Sequence, residues 1–177
     1  LAIKERMNVY MRERMGFASA DVPRLREKYF REYGTTLRGL QANHKMDVDD
    51  FLAFVHDLPL RDFLTPDPTQ RSVIASLPPR RLVFTNADQA HARRVLAALE
   101  LDDLFDAIVD VNAVAPYCKP MPESFKIAME AAGQSDPAHC VMIDDLPRTT
   151  RAARDFGMFG VLAHCPDPSP DADAVFT

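Results

Sequence analysis

Four short, unbroken apolar runs punctuate the later part of this 177-residue chain: Leu82-Val83-Phe84, Ala107-Ile108-Val109, Cys140-Val141-Met142-Ile143 and Phe159-Gly160-Val161-Leu162. A strand with one wet face alternates apolar and polar residues, so a run that is apolar throughout needs cover on both faces. Helical stretches separate most of these runs and are expected over 89–99, 122–132 and 147–156. Strands of this kind alternating with helices specify a parallel sheet between helical layers, an α/β core.

The first 60 residues read differently. Ile3, Met7, Tyr10, Met11 and Met15 form one helical stripe that Gly16 ends; Asp21 and Pro23 open a second helix that Gly34 stops. A third helix is expected over 36–43 and a fourth over 48–58, capped by Asp47, with Phe51, Leu52 and Val55 as its apolar face. Pro59, Pro66 and Pro68 mark the change of regime, and 69–77 is expected to be a helix leading into the core. The expected domains are therefore an all-helical segment at 1–60 and an α/β core at 61–177. The Pro-rich stretch Cys165–Pro170 is expected to be extended and frayed.

Composition narrows the function. A formal charge of −5 and 47% hydrophobic content exclude disorder and a nucleic-acid-coating role, although residues 1–38 carry +4 and the rest −9. No apolar run approaches the ~18 residues of a membrane helix and the charged opening is no secretory signal, so a cytoplasmic protein is expected. Cys118, Cys140 and Cys165 are odd in number and contain no CxxC pair, which argues against a zinc site or a disulfide framework. The chain opens at Leu1 inside a helical pattern and stops just after Ala174-Val175-Phe176, so both ends are expected to be cuts in a longer protein.

Ligands of an open parallel sheet bind beyond the carboxyl ends of its strands. Thr85, Asn86 and Asp88 follow the first run, Lys119-Pro120 follows the second after a longer loop, and Asp144-Asp145 ends the third. Adjacent carboxylates point to opposite faces of a continuing strand and converge only where it turns. Their mutual repulsion is relieved by an oxygen-seeking cation such as magnesium, or Asp145 simply caps the next helix ahead of Pro147. Thr85 and Asn86 offer a hydroxyl, an amide and backbone N–H groups to an anion, or cap the helix they precede. Lys119 is either a point charge for a phosphate or a surface lysine.

Taken together, Phe84-Thr85-Asn86-Ala87, Cys118-Lys119-Pro120 and Met142-Ile143-Asp144-Asp145 resemble, in order and spacing, the second, third and fourth motifs of the haloacid dehalogenase (HAD) superfamily. Tyr33-Gly34-Thr35-Thr36-Leu37-Arg38-Gly39-Leu40 resembles the cap of its pyrimidine 5′-nucleotidase-like branch. The resemblance covers nearly the whole chain and implies a Rossmann-like HAD core with an N-terminal all-helical cap. By resemblance, Thr85 and Asn86 hold phosphoryl oxygens, Lys119 pairs with nucleophile and phosphate, and Asp145 with Asp144 holds Mg2+. The cap, with Arg38 and His44, selects the leaving group. Leu146 and Thr149 depart from the small and amide residues common in the family at those places.

The implied activity is magnesium-dependent hydrolysis of small phosphate monoesters, nucleoside 5′-monophosphates above all, through an aspartyl-phosphate. The Asp-x-Asp strand that supplies the nucleophile is expected upstream of Leu1, within about 20 further residues of which the strand itself takes about 5 to 6. In the family that strand lies between those ending at Thr85 and Ile143, so the chain as given is expected to be inactive or poorly folded. Two alternatives stand: a metal-independent dehalogenase-type hydrolase, which the acidic pair disfavours, and a catalytically silent binding protein. A signalling receiver domain shares the residue types but carries its acidic pair first. The expected partner is a small phosphorylated substrate, with no nucleic-acid polymer and no membrane, for a monomer or homodimer.

Overall fold

The computed structural model describes residues 2–77 and 80–177. It divides into two compact units, Leu1–Val111 and Asn112–Thr177. Within the first, four helices come in succession: α1 (Ala2–Glu13), α2 (Val22–Tyr33), α3 (Thr36–Asn43) and α4 (Val48–His56). Local chemistry sets their ends. Thr35 starts α3 by accepting the Arg38 amide at 3.1 Å, and Asp47 starts α4 by accepting the Asp50 amide at 3.0 Å. Gly34 closes α2 at φ 81°, a left-handed conformation that a side chain would strain.

These helices bury Tyr10, Met11, Val22, Tyr29, Leu37, Leu40, Phe51, Leu52 and Val55, with Val111 joining them from the end of the unit. Tyr10 meets the Phe51 ring edge-on at a centroid distance of 5.0 Å. Helices α2 and α3 approach so closely that a Cβ on Gly39 would lie 2.2 Å from the Tyr29 Cβ. The same unit continues through a 3-10 turn at Leu60–Asp62, α5 (Pro68–Ser76), β1 (Leu82–Phe84), α6 (Gln89–Ala98), a second 3-10 turn at Asp102–Leu104 and β2 (Ala107–Val109). Strands β1 and β2 run parallel with Val83 opposite Ile108, over a second cluster of Leu96, Leu101 and Leu104.

In the second unit, α7 (Pro122–Ala132), a 3-10 turn at Pro137–His139, β3 (Val141–Asp144), α8 (Pro147–Asp155), β4 (Phe159–Ala163) and β5 (Ala174–Phe176) follow in turn. The sheet is parallel, in the order β3-β4-β5. One of its faces turns Met142 and Leu162 inward, and α8 lies directly on Gly160, where a Cβ would sit 2.9 Å from the Thr150 carbonyl oxygen. On the opposite face Val141, Phe159 and Ile143 are exposed.

The fold is the expected α/β arrangement of parallel strands and helices, with three differences. The sheet was expected to be covered on both faces, yet Val141, Ile143 and Phe159 leave one face of β3 and β4 exposed. The apolar triplet 174–176, to which the sequence reading gave no strand, pairs with β4 because the Asp173 carboxylate and backbone grip Gly160 from both its N–H and its C=O. The parallel strands also form two separate sheets among the described residues, so β1 and β3 each have one edge without a neighbouring strand. No helix of the described residues is long and apolar enough to cross a membrane.

Candidate active site

In the first unit, β1 delivers the chain to a tight polar turn. Pairing with β2 continues one residue past the strand, through the Thr85 amide and the Val109 carbonyl at 2.9 Å. The Thr85 hydroxyl oxygen then accepts the Ala87 amide at 3.0 Å, and the Ala87 carbonyl accepts the Val111 amide at 3.0 Å. The N-cap of α6 is Asp88, whose Oδ1 accepts the His91 amide at 2.7 Å. Thr85 and Asn86 therefore do not cap α6; both are half-buried on the turn before it. Asp110, following β2, accepts the Gln89 amide at 2.9 Å and fixes the same turn from the other side.

In the second unit, Lys119 and Asp144 form a buried ion pair, Nζ to Oδ2 at 2.7 Å, with side chains 11% and 7% exposed. The other Asp144 oxygen accepts the Leu146 amide at 2.9 Å, which turns the chain at the end of β3. The two acids differ in their surroundings. Asp145 is exposed, takes no hydrogen bond or ion pair among the described residues, and does not cap α8, whose N-cap is Leu146 with no side-chain bond. Cys118, next to Lys119, is fully buried.

Arg38 and His44 both lie in the first unit, engaged with its packing. Arg38 is 6% exposed; its guanidinium donates to Gln41 Oε1 at 2.7 Å and to the Val111 carbonyl at 2.5 Å. The His44 ring meets the Tyr29 hydroxyl at 2.7 Å and packs edge-on to Phe17.

Three further groups, His56, Asp88 and His91, gather at the start of α6. Asp88 Oδ2 lies 2.5 Å from His56 Nδ1 at the end of α4, and the His56 and His91 rings stack with centroids 4.1 Å apart. Burial depresses both imidazole pKa values, that of His91 to about 4. Burial alone would raise the Asp88 carboxyl, but hydrogen bonds from the His91 amide and the His56 ring outweigh it and hold the group below its ordinary value. The Asp88-x-x-His91 spacing, one helical turn, was the only sequence signal for this cluster.

The described residues contain no group of three or more His, Cys, Asp or Glu side chains arranged to hold a metal ion. What they do offer at the end of β3 is an all-oxygen pair of carboxylates, one of them exposed. That donor set suits magnesium, which uses one or two carboxylates and fills its remaining positions with water and substrate phosphate oxygens.

Residues 3–157 match the family model of the haloacid dehalogenase-like hydrolases. Phosphate metabolism protein 8 of Saccharomyces cerevisiae is 31% identical over 191 aligned residues, which take in the whole of this chain and 60% of the yeast protein. Among solved structures, a HAD phosphatase from Thermococcus onnurineus superposes with a TM-score of 0.59 at 15% identity, over 98% of this chain and 82% of that one. β-Phosphoglucomutase from Clostridium difficile gives 0.60 at 17% identity, over 99% and 84%. L-2-haloacid dehalogenase from Xanthobacter autotrophicus gives 0.56 at 21%, over 96% and 74%. At these identities the structures establish a shared fold, and with the match to the family model they make the chain a member of the haloacid dehalogenase-like hydrolases.

Proposed function

We propose that the protein is a magnesium-dependent phosphohydrolase of small phosphate monoesters, with nucleoside 5′-monophosphates as its substrate class. The observation that carries this reading is the buried Lys119–Asp144 pair at the end of β3, beside the exposed and unengaged Asp145. Two carboxylates and an ammonium at a strand end suit a polyanionic ester whose charge shifts between oxygens during transfer. The paired Asp144 and Asp145 argue against a metal-independent dehalogenase-type reaction. The yeast relative, whose name places it in phosphate metabolism, supports the same direction.

In this reading Lys119, held in place by Asp144, neutralises the non-bridging oxygens of the phosphoryl group. Thr85 donates its hydroxyl hydrogen and Asn86 its amide to the same class of oxygen. Asp145, with Asp144, would hold magnesium, which when bound polarises the phosphoryl group and offsets its charge. In this reading the attacking carboxylate is the aspartate that the resemblance to the family implies upstream of Leu1. Choice of leaving group is assigned to the helical segment at 1–60 with Arg38 and His44, and the Tyr33–Leu40 stretch is what favours the nucleotidase branch.

The test is a screen of nucleoside 5′-monophosphates and sugar phosphates for phosphate release, with and without magnesium, using both the 177-residue chain and the product of its whole reading frame. Magnesium-dependent release by the longer product alone is expected. Release by the 177 residues alone would remove the need for an upstream nucleophile, and no release by either would defeat the reading.

A further inference from the structure

Two imidazoles and a carboxylate are buried together at the start of α6, and no role assigned so far uses the rings. His56 and Asp88 have side chains only 7% and 15% exposed, and His91 is 8% exposed. An ionised carboxylate accepts hydrogen bonds and donates none, so the proton between Asp88 Oδ2 and His56 Nδ1 belongs to the ring. Among the described residues His91 Nδ1 is buried without a hydrogen-bond partner. A buried N–H left unpaired is rarer and costlier than a bare acceptor, so the His91 proton sits on Nε2. Two charged rings stacked at 4.1 Å would repel, and burial disfavours charge on either. The cluster is a pair of neutral imidazoles of opposite tautomer, one of them tied to a carboxylate.

Asp88 is three residues beyond Thr85 and shares its turn. One of its oxygens is spent on the His91 amide, and among the described residues the bond from His56 is what fixes the other. We propose that His56 is a positioning residue for the Thr85–Asn86 turn: by donating Nδ1–H from α4 to Asp88 it fixes the backbone that presents the Thr85 hydroxyl and the Asn86 amide to a phosphate group. The inference rests on the assignment of Thr85 and Asn86 to phosphoryl oxygens. The charged groups acting on the rings are Asp88 and, from α6, Arg94, whose positive charge also disfavours their protonation.

The experiment uses the isotopically labelled chain with inorganic phosphate as probe at pH 7.5, in the wild type, H56L and H56N. The asparagine amide nitrogen stands close to where Nδ1 stood, so H56N keeps the donor while H56L removes it. Amide signals of Thr85, Asn86 and Ala87 are expected to shift with phosphate in the wild type. The apparent Kd should rise at least tenfold in H56L and stay within about threefold in H56N. Equal binding by wild type and H56L, or H56N no better than H56L, overturns the proposal. Hydrogen exchange at the Ala87 and His91 amides should be at least tenfold faster in H56L and restored in H56N; unchanged exchange also overturns it. Long-range nitrogen–proton correlations in the wild type should show His56 protonated at Nδ1, and a proton on Nε2 in its place refutes the tie without any variant. If the wild-type amides do not respond to phosphate, the phosphoryl-binding assignment falls, and exchange and tautomer then judge the His56–Asp88 tie alone.

Discussion

Lys119 Nζ and Asp144 Oδ2 lie 2.7 Å apart with both side chains almost fully withdrawn from water. Such a pair is costly to break from one side, because the partner left behind is a buried charge without its counter-ion. K119M should lower unfolding free energy by about 3 kcal/mol. The double variant K119M/D144N should recover more than half of that, since the neutral side chain can still accept the Leu146 amide. Urea denaturation of the three proteins measures both values, and a double variant no more stable than K119M would show that the pair is not the source of the loss.

Asp145 behaves in the opposite way. It is exposed and makes no bond among the described residues, so D145N should change stability by less than about 0.5 kcal/mol. Its role is expected to show in magnesium titration, where D145N should weaken binding at least tenfold. Unchanged magnesium affinity would move the metal away from this carboxylate.

Gly39 tests the packing of α2 on α3. An added methyl would lie 2.2 Å from the Tyr29 Cβ, and the helix backbone cannot give way without disturbing Leu37 and Leu40. G39A should therefore destabilise by about 3 kcal/mol or more, although alanine is the better helix former. A melting temperature equal to that of the wild type would contradict the close approach.

Acid should loosen the molecule through its histidines. In the unfolded chain His91 binds a proton near its ordinary pKa of 6.5, whereas burial holds it to about 4 in the folded chain. Between these values the unfolded state binds more protons, so stability is full above about 6.5 and falls as pH drops toward 4. His56, depressed in the same direction, adds to the loss. Comparing denaturation at pH 7 and pH 5, H91N should lose less stability than the wild type, by the order of 1–2 kcal/mol. An equal loss in both would place the acid sensitivity elsewhere.

Much of this was legible in the residues themselves. Runs such as Leu82-Val83-Phe84 announce strands by their unbroken apolar character, although cover on both faces did not follow for the run at 140–143, whose Val141 and Ile143 are exposed, and the caps at Asp47 and Gly34 mark helix ends by chemistry local to each. The strand at 174–176 escaped notice because three residues after a Pro- and Asp-rich stretch carry little periodicity; pairing with β4 makes them a strand. The His56–Asp88 contact spans 32 residues and depends on where α4 meets α6, which no local pattern encodes. Arg38 stood out in the sequence as a charge, yet the structure buries it against the Val111 carbonyl, a partner 73 residues away. In the candidate site, Lys119 and the two aspartates stood out as residue types, whereas the pairing of Lys119 with Asp144 and the exposure of Asp145 show only once the chain turns at Leu146.

The most direct test is the rate of phosphate release from the best nucleoside 5′-monophosphate, measured in the product of the whole reading frame carrying T85A, K119A or D145N. K119A and D145N are each expected to lose at least about a hundredfold in kcat/KM and T85A about tenfold or more, all with the fold intact by circular dichroism. Wild-type kinetics in K119A or D145N would contradict that expectation.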